Sequence, residues 1–206
     1  MSVDVNTVYQ RVLAITNKEQ RGYITPQEFN YLANQAQLDI FEQYFYDINQ
    51  FGRIPGNHSE YADMLAILEE KISLFEKTNQ TVTSGTDLPA DLYRLGSIVF
   101  NGAEAESMTQ KDYLYITQSQ LAKPTNDFPM YIRDTTGVKV YGSNASGAIE
   151  QKTSGVTCNY IKEPTSVSWA SNASTGLYDA ANSTHFELHE SEETELVIKI
   201  LALSGM

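Results

Sequence analysis

A chain of 206 residues with 26 acidic against 14 basic side chains carries a formal net charge of −12. Such a chain repels nucleic-acid phosphates and anionic membrane surfaces unless basic residues cluster, and no Lys/Arg run occurs. A hydrophobic fraction of 41% and a charged fraction of 19% are those of a globular protein and exclude disorder as the default state.

The length suits one domain, or one domain with a sizeable insertion. Cys158 is the single cysteine, so no intramolecular disulfide can form, which fits a reducing compartment. The first ten residues show neither a basic nor an apolar targeting region. No stretch approaches 18 apolar residues, so neither a signal peptide nor a membrane span is expected. Five N-x-S/T sequons, at Asn57, Asn79, Asn144, Asn172 and Asn182, read as accidents of Asn/Ser-rich loops.

The first 77 residues predict three helices. From Asp4, a potential cap, to Thr16, the residues Val5, Val8, Val12 and Ile15 share one face at 3–4 spacing. Thr25-Pro26-Gln27-Glu28 is a strong helix start: a capping threonine, proline at the first helical position and a capping-box acid. The helix it opens is expected to reach Asn49. Its stripe of Phe29, Ala33, Ala36, Ile40, Tyr44 and Ile48 is widened by Leu38, Phe41 and Phe45, which suggests contacts on two sides. Gly52, Pro55 and Gly56 break the chain. A third helix from Ser59 to about Lys77 is expected to bury Tyr61, Met64, Leu65, Leu68, Ile72 and Phe75.

Residues 79–90, with Gly85 and Pro89, read as a polar hinge. Short strands are expected at Leu95–Phe100 and Glu104–Met108 around Asn101-Gly102, a tight hairpin turn. Thr109 is a candidate cap for a short helix holding Tyr113, Leu114 and Ile116. A second hairpin is expected to join Phe128–Arg133 to Val138–Tyr141, and a further strand to cover Val156–Ile161. Residues 163–184, rich in Ser, Asn, Ala and Gly around Trp169, read as a long loop, of the kind usually functional or ordered by a partner. A last helix from Glu190 to Ser204 places Leu196, Val197, Ile200 and Leu201 on one face, with acids at its start complementing the helix dipole.

These elements predict an α+β fold. Three amino-terminal helices (1–78) and a returning carboxy-terminal helix (186–206) form a helical bundle, and a β-rich insertion lobe with the long loop occupies 79–185.

The familiar marks of enzyme chemistry are missing: no phosphate-binding Gly-rich loop, dinucleotide turn or nucleophile elbow occurs. His185 and His189 are the best metal candidates, but they straddle a strand or loop, where this spacing sets two imidazoles too far apart. No cofactor or metal is therefore expected. Glu187, Glu190, Glu192, Glu193 and Glu195 lack the spacing of a calcium loop and read as a solvated helix start. His58 reads as a loop residue. Cys158, inside a period-2 apolar run, reads as a buried thiol rather than a nucleophile.

Several stretches resemble a family of tailed-phage virion structural proteins: residues 8–45, FPMYIR with its hairpin (128–141), VTCNYIKEP (156–164) and HFELHESEETELVIKILALSG (185–205). The resemblance implies a non-enzymatic head-to-tail connector or adaptor, a neck ring similar to tail tubular proteins. It would be located in the virion after synthesis in the host cytoplasm. A homo-oligomeric ring of twelve subunits is implied, with the portal protein and other neck or tail proteins as partners. DNA would be only passing cargo, and no membrane contact is implied. The alternatives are another virion subunit (tail tube or head decoration) or a glycan- or receptor-binding module using Trp169. Phe41, Tyr44 and Phe45 are the candidate subunit interface, against the β-rich lobe of a neighbour; equally, they could fill the subunit's own core.

Overall fold

A computed structural model describes residues 2–19, 23–51, 59–84, 86–119, 121–135, 137–172 and 175–205. The fold is mixed α+β, with five helices and a curled seven-stranded sheet among the described residues. The chain divides into two compact units, one of residues 1–75 with 164–206 and the other of residues 76–163. The expected breaks at Gly52, Pro55, Gly56 and Gly85, and His58, lie outside the described residues, as does the side chain of Tyr61.

In the first unit, α1 (Val5–Glu19), α2 (Pro26–Phe51), α3 (Ser59–Ser73) and α5 (Glu193–Leu203) provide the helices. Local chemistry starts them where expected. The Asp4 carboxylate accepts from the Thr7 amide at 2.9 Å. Thr25 and Glu28 close a reciprocal capping box, the Thr25 amide donating to the Glu28 carboxylate at 2.9 Å and the Glu28 amide to Thr25 Oγ1 at 3.3 Å. Those bonds hold the Glu28 carboxyl below its ordinary pKa.

α2 packs against α3 and α5, and α1 packs against α5. The buried face of α1 is Val5, Val8, Tyr9, Val12 and Thr16. Ile15 is exposed, because Tyr9 and Thr16 complete the 3.6-residue stripe that Ile15 falls outside. Thr16 tolerates burial by donating to the Val12 carbonyl one turn back, at 2.9 Å. Leu196, Val197 and Ile200 are the buried face of α5, while Leu201 is half-buried. Gly205, at φ 84°, sits in the left-handed region just past its end.

The third helix is shorter than expected. It stops at Ser73, Met64 is exposed, and Phe75 is buried beyond the helix end. Residues 76–81 form a strand instead, because pairing with a distant partner strand outweighs continuation of the helix.

The second unit holds all seven strands: β1 (Glu76–Thr81), β2 (Leu92–Phe100), β3 (Ala103–Met108), β4 (Met130–Asp134), β5 (Gly137–Ser143), β6 (Ile149–Lys152) and β7 (Val156–Lys162). Their order is β1-β7-β2-β3-β4-β5-β6. Among the described residues, only β3 and β4 pair in parallel. Asn101 and Gly102 both take positive φ, 48° and 90°, as a two-residue hairpin of matching twist requires. Burial alternates along β5 and β7, so Val138, Val140, Val156, Cys158 and Tyr160 join Ile98 and Phe100 in one core. Gly137 has no room for a side chain, since a Cβ there would lie 1.9 Å from the Thr86 carbonyl oxygen.

Two strands escaped the sequence reading. β1 is exposed along its whole length, and β6 spans four residues. Neither offers the alternating apolar pattern that marks a strand. The parallel β3–β4 pair needs a crossover, and α4 (Gln110–Gln118) lies in it.

Residues 164–185, expected in the β-rich lobe, cluster with the helices instead. The cause is a row of carboxamides on α2. Asn30, Asn34 and Gln37 lie at i, i+4 and i+7, one face of the helix. Trp169 N–H donates to Asn30 Oδ1 at 2.7 Å, and Asn30 Nδ2 donates to the Trp169 carbonyl at 3.2 Å. Val167 and Asn34 exchange the same pair of bonds at 2.7 and 2.9 Å. Gln37 Nε2 donates to the Thr165 carbonyl at 2.9 Å, and its Oε1 accepts from the Glu187 amide at 3.1 Å. The spacing works because four helical residues rise about 6 Å while two extended residues rise about 6.6 Å. The stretch read as a long loop is therefore a strap laced to a helix.

Candidate functional site

The structure separates the residues that the sequence brought forward. Phe41 is fully buried, Tyr44 is 4% exposed and Phe45 is half-buried. The Phe41 ring meets Phe45 at 5.1 Å and Phe75 at 4.9 Å, both edge-on. In this conformation Phe41 and Tyr44 lie in the core of their own unit, out of a neighbour's reach. The aromatics that α2 presents to solvent are Tyr31 and Tyr46. Tyr46 stands beside Asp39 and Glu42 in an open acidic depression that Lys199 also lines.

Tyr44 belongs to a buried polar cluster. Glu192, 4% exposed, forms an ion pair with Lys71 near the end of α3. The Lys71 ammonium lies 5.6 Å from the centre of the Tyr44 ring. The Tyr44 hydroxyl is buried and meets no aligned hydrogen-bond partner among the described residues. Burial, then the nearby charges of Glu192 and Glu195, push its pKa far up. Glu195 is likewise pushed above its ordinary carboxylate value, by burial first and by Glu192 second. The cluster ties α2, α3 and α5 together.

The two histidines serve the backbone. His185 Nδ1 accepts from the Val5 amide at 3.2 Å, and His189 Nδ1 accepts from the Ser191 amide at 3.2 Å, capping a 3-10 turn at Glu190–Glu192. Among the described residues, no three metal-ligating side chains come together. Cys158 is buried, and burial pushes its thiol pKa up, away from thiolate chemistry. Trp169 is also buried. Its ring lies 4.5 Å from Tyr9 and 5.9 Å from Tyr178, and Nε1 donates to Asn6 Oδ1 at 3.1 Å. It presents no platform on which a sugar could stack.

What the sequence reading missed is how exposed α4 is. The helix begins as expected, with the Asp112 amide donating to Thr109 Oγ1 at 3.2 Å. A crossover helix normally buries an apolar side against its sheet. Yet no residue of α4 is buried. Only Tyr113 is anchored through its ring, 4.5 Å from Tyr141 on β5. Leu114 is 55% and Tyr115 65% exposed, and the following segment adds Leu121 and Phe128 at 100% and 76%.

No described helix is long and apolar enough to cross a membrane. No family model matches the chain, and none of the curated proteins compared with it matches either.

Proposed function

We propose that this protein is a non-enzymatic structural subunit of a phage virion: a head-to-tail connector that forms a twelve-membered ring between portal and tail. The sequence resemblance suggests the class. The observation that carries the assembly reading is the apolar face of α4 and the segment after it, with Leu114, Tyr115, Leu121 and Phe128 turned to solvent. Aromatic side chains are enriched at protein interaction surfaces. In a ring each subunit offers two different, complementary patches, closing by rotation. α4 supplies one such patch, in place of the buried Phe41 and Tyr44. In this reading α1, α2, α3 and α5 form a bundle closed by the carboxy-terminal helix. The ring needs no cofactor or metal, and DNA passes as cargo.

Electron microscopy of the purified protein, alone and with the portal protein of the same virus, tests this. Closed annular particles, or subunits docked on portal, are expected. The variant Leu114→Lys/Tyr115→Lys should keep its circular dichroism and melting, since neither side chain is buried, but fail to join the ring. Wild-type protein that stays monomeric and never docks on portal would sink the connector reading.

A further inference from the structure

The seven-stranded sheet opens between β2 and β3. β3 pairs with β2 only through Ala103–Ala105, opposite Ile98–Phe100, and then turns to pair in parallel with β4 through Glu106–Met108. Continued in register, Ser97 would face Glu106 and Gly96 would face Ser107; among the described residues neither pair forms. The reason lies on the other side of β2. Its register against β7 shifts between Leu95 and Ile98, leaving Gly96 and Ser97 opposite Asn159. Asn159 Nδ2 donates to Ser97 Oγ at 2.8 Å, and a Cβ on Gly96 would lie 2.8 Å from the Asn159 carbonyl oxygen. A bulge bends its strand and raises the local twist, which carries β2 away from β3.

The opening is a crevice of about 380 Å³, lined by Gly96, Ser97, Glu104, Glu106, Ser107 and Tyr131. Its size is at the lower end of the roughly 300–1,000 Å³ range of ligand pockets. The Glu106 amide is already given to the Pro129 carbonyl on the β4 side, at 3.0 Å, so it is Ser107 that turns its backbone groups toward the crevice, where a parted strand edge can accept an incoming strand. Glu104 and Glu106 are two residues apart on β3, so both carboxylates stand on one face of the strand.

We propose that this crevice is a strand-addition site for an extended peptide segment of another protein, one that carries Lys or Arg at alternate positions. Backbone hydrogen bonds to Ser107 and to the Gly96–Ser97 edge hold the segment. Its basic side chains, two residues apart, meet Glu104 and Glu106. The site is independent of ring formation, and its test needs only folded protein.

The probe is the capped octapeptide Ac-(Thr-Lys)4-NH2, with Ac-(Thr-Glu)4-NH2 as its charge-reversed control. Titration calorimetry reads affinity, and hydrogen exchange reads the amides of Gly96, Ser97 and Ser107. The lysine peptide should bind and slow exchange at those amides, and the glutamate peptide should not. The variant Glu104→Lys/Glu106→Lys, altered only at exposed positions, should weaken binding about tenfold or more with unchanged melting. A lysine-peptide version with N-methylated backbone, unable to donate hydrogen bonds, should lose binding. No binding, binding without amide protection, or equal binding by the N-methylated peptide would each overturn the proposal.

Discussion

Glu192 shows how much one side chain can decide. The sequence places it in a run of acids that reads as solvated, and the structure buries it against Lys71. Removing one partner of a buried ion pair strands the other, which costs more than the pair's net worth. The Lys71 side chain keeps 21% exposure, so it recovers some hydration, and Glu192→Gln should cost about 1–3 kcal/mol. Glu195 acts in the opposite sense. Its folded pKa is raised, so the folded chain holds that proton more tightly than the unfolded chain. Stability therefore falls as pH rises from the ordinary carboxylate range through the raised value. At pH 7, Glu195→Gln should raise the melting temperature while Glu192→Gln lowers it. Thermal melts of the two variants across pH 4–8 check both signs; a rise for Glu192→Gln would contradict this account.

Between elements, the carboxamide row on α2 is the feature with the largest consequence. The amide and carbonyl of Val167 are satisfied by the two ends of one side chain, Asn34. Asn34→Ala should leave that backbone unpaired and cost about 1–3 kcal/mol. Asn34→Asp should be worse at neutral pH, because a carboxylate can accept from the Val167 amide but repels its carbonyl. Acidification below the usual carboxylate pKa of about 4 should recover part of that loss, since a protonated carboxyl donates again. Denaturant melts at pH 7 and pH 3.5, each referred to wild type, measure it. Equal stability of all three proteins would show that the strap is held by other contacts. Helix starts were legible in Thr25–Glu28 and Thr109–Asp112 because a cap and its partner lie within one turn. The strap was not, because Asn34 and Val167 are 133 residues apart and both read as ordinary polar-helix and loop positions. Likewise, α4 was visible as a helix, but its lack of a buried face was not, since its amphipathic pattern says nothing of what covers it.

For the whole molecule, the net charge of −12 without a basic run bears on the proposed passage of DNA as cargo, because like charge keeps phosphates from sticking. Non-specific DNA binders reach Kd values of about 10⁻⁴–10⁻⁶ M through clustered Lys and Arg that displace counterions. This protein should leave duplex DNA unshifted at about 50 mM salt and roughly 100 µM protein. An electrophoretic titration checks it, and salt-sensitive binding would remove the argument that like charge lets DNA pass.

What the sequence by itself determined is local or additive: the charge, the lone thiol, the capped helix starts, the Asn101-Gly102 turn and the alternation of β7. Each depends on residues within a few positions of one another, or on a sum over all of them. The tertiary structure alone decided that Phe41 and Tyr44 face inward and that residues 164–185 belong with the helices. It alone decided, too, that 76–81 is a strand and that β2 parts from β3. Those outcomes turn on partners far along the chain, such as β7 for β1 or Asn159 for the Gly96–Ser97 bulge. Exposed polar strands and buried aromatics carry no local mark of the partner that will meet them.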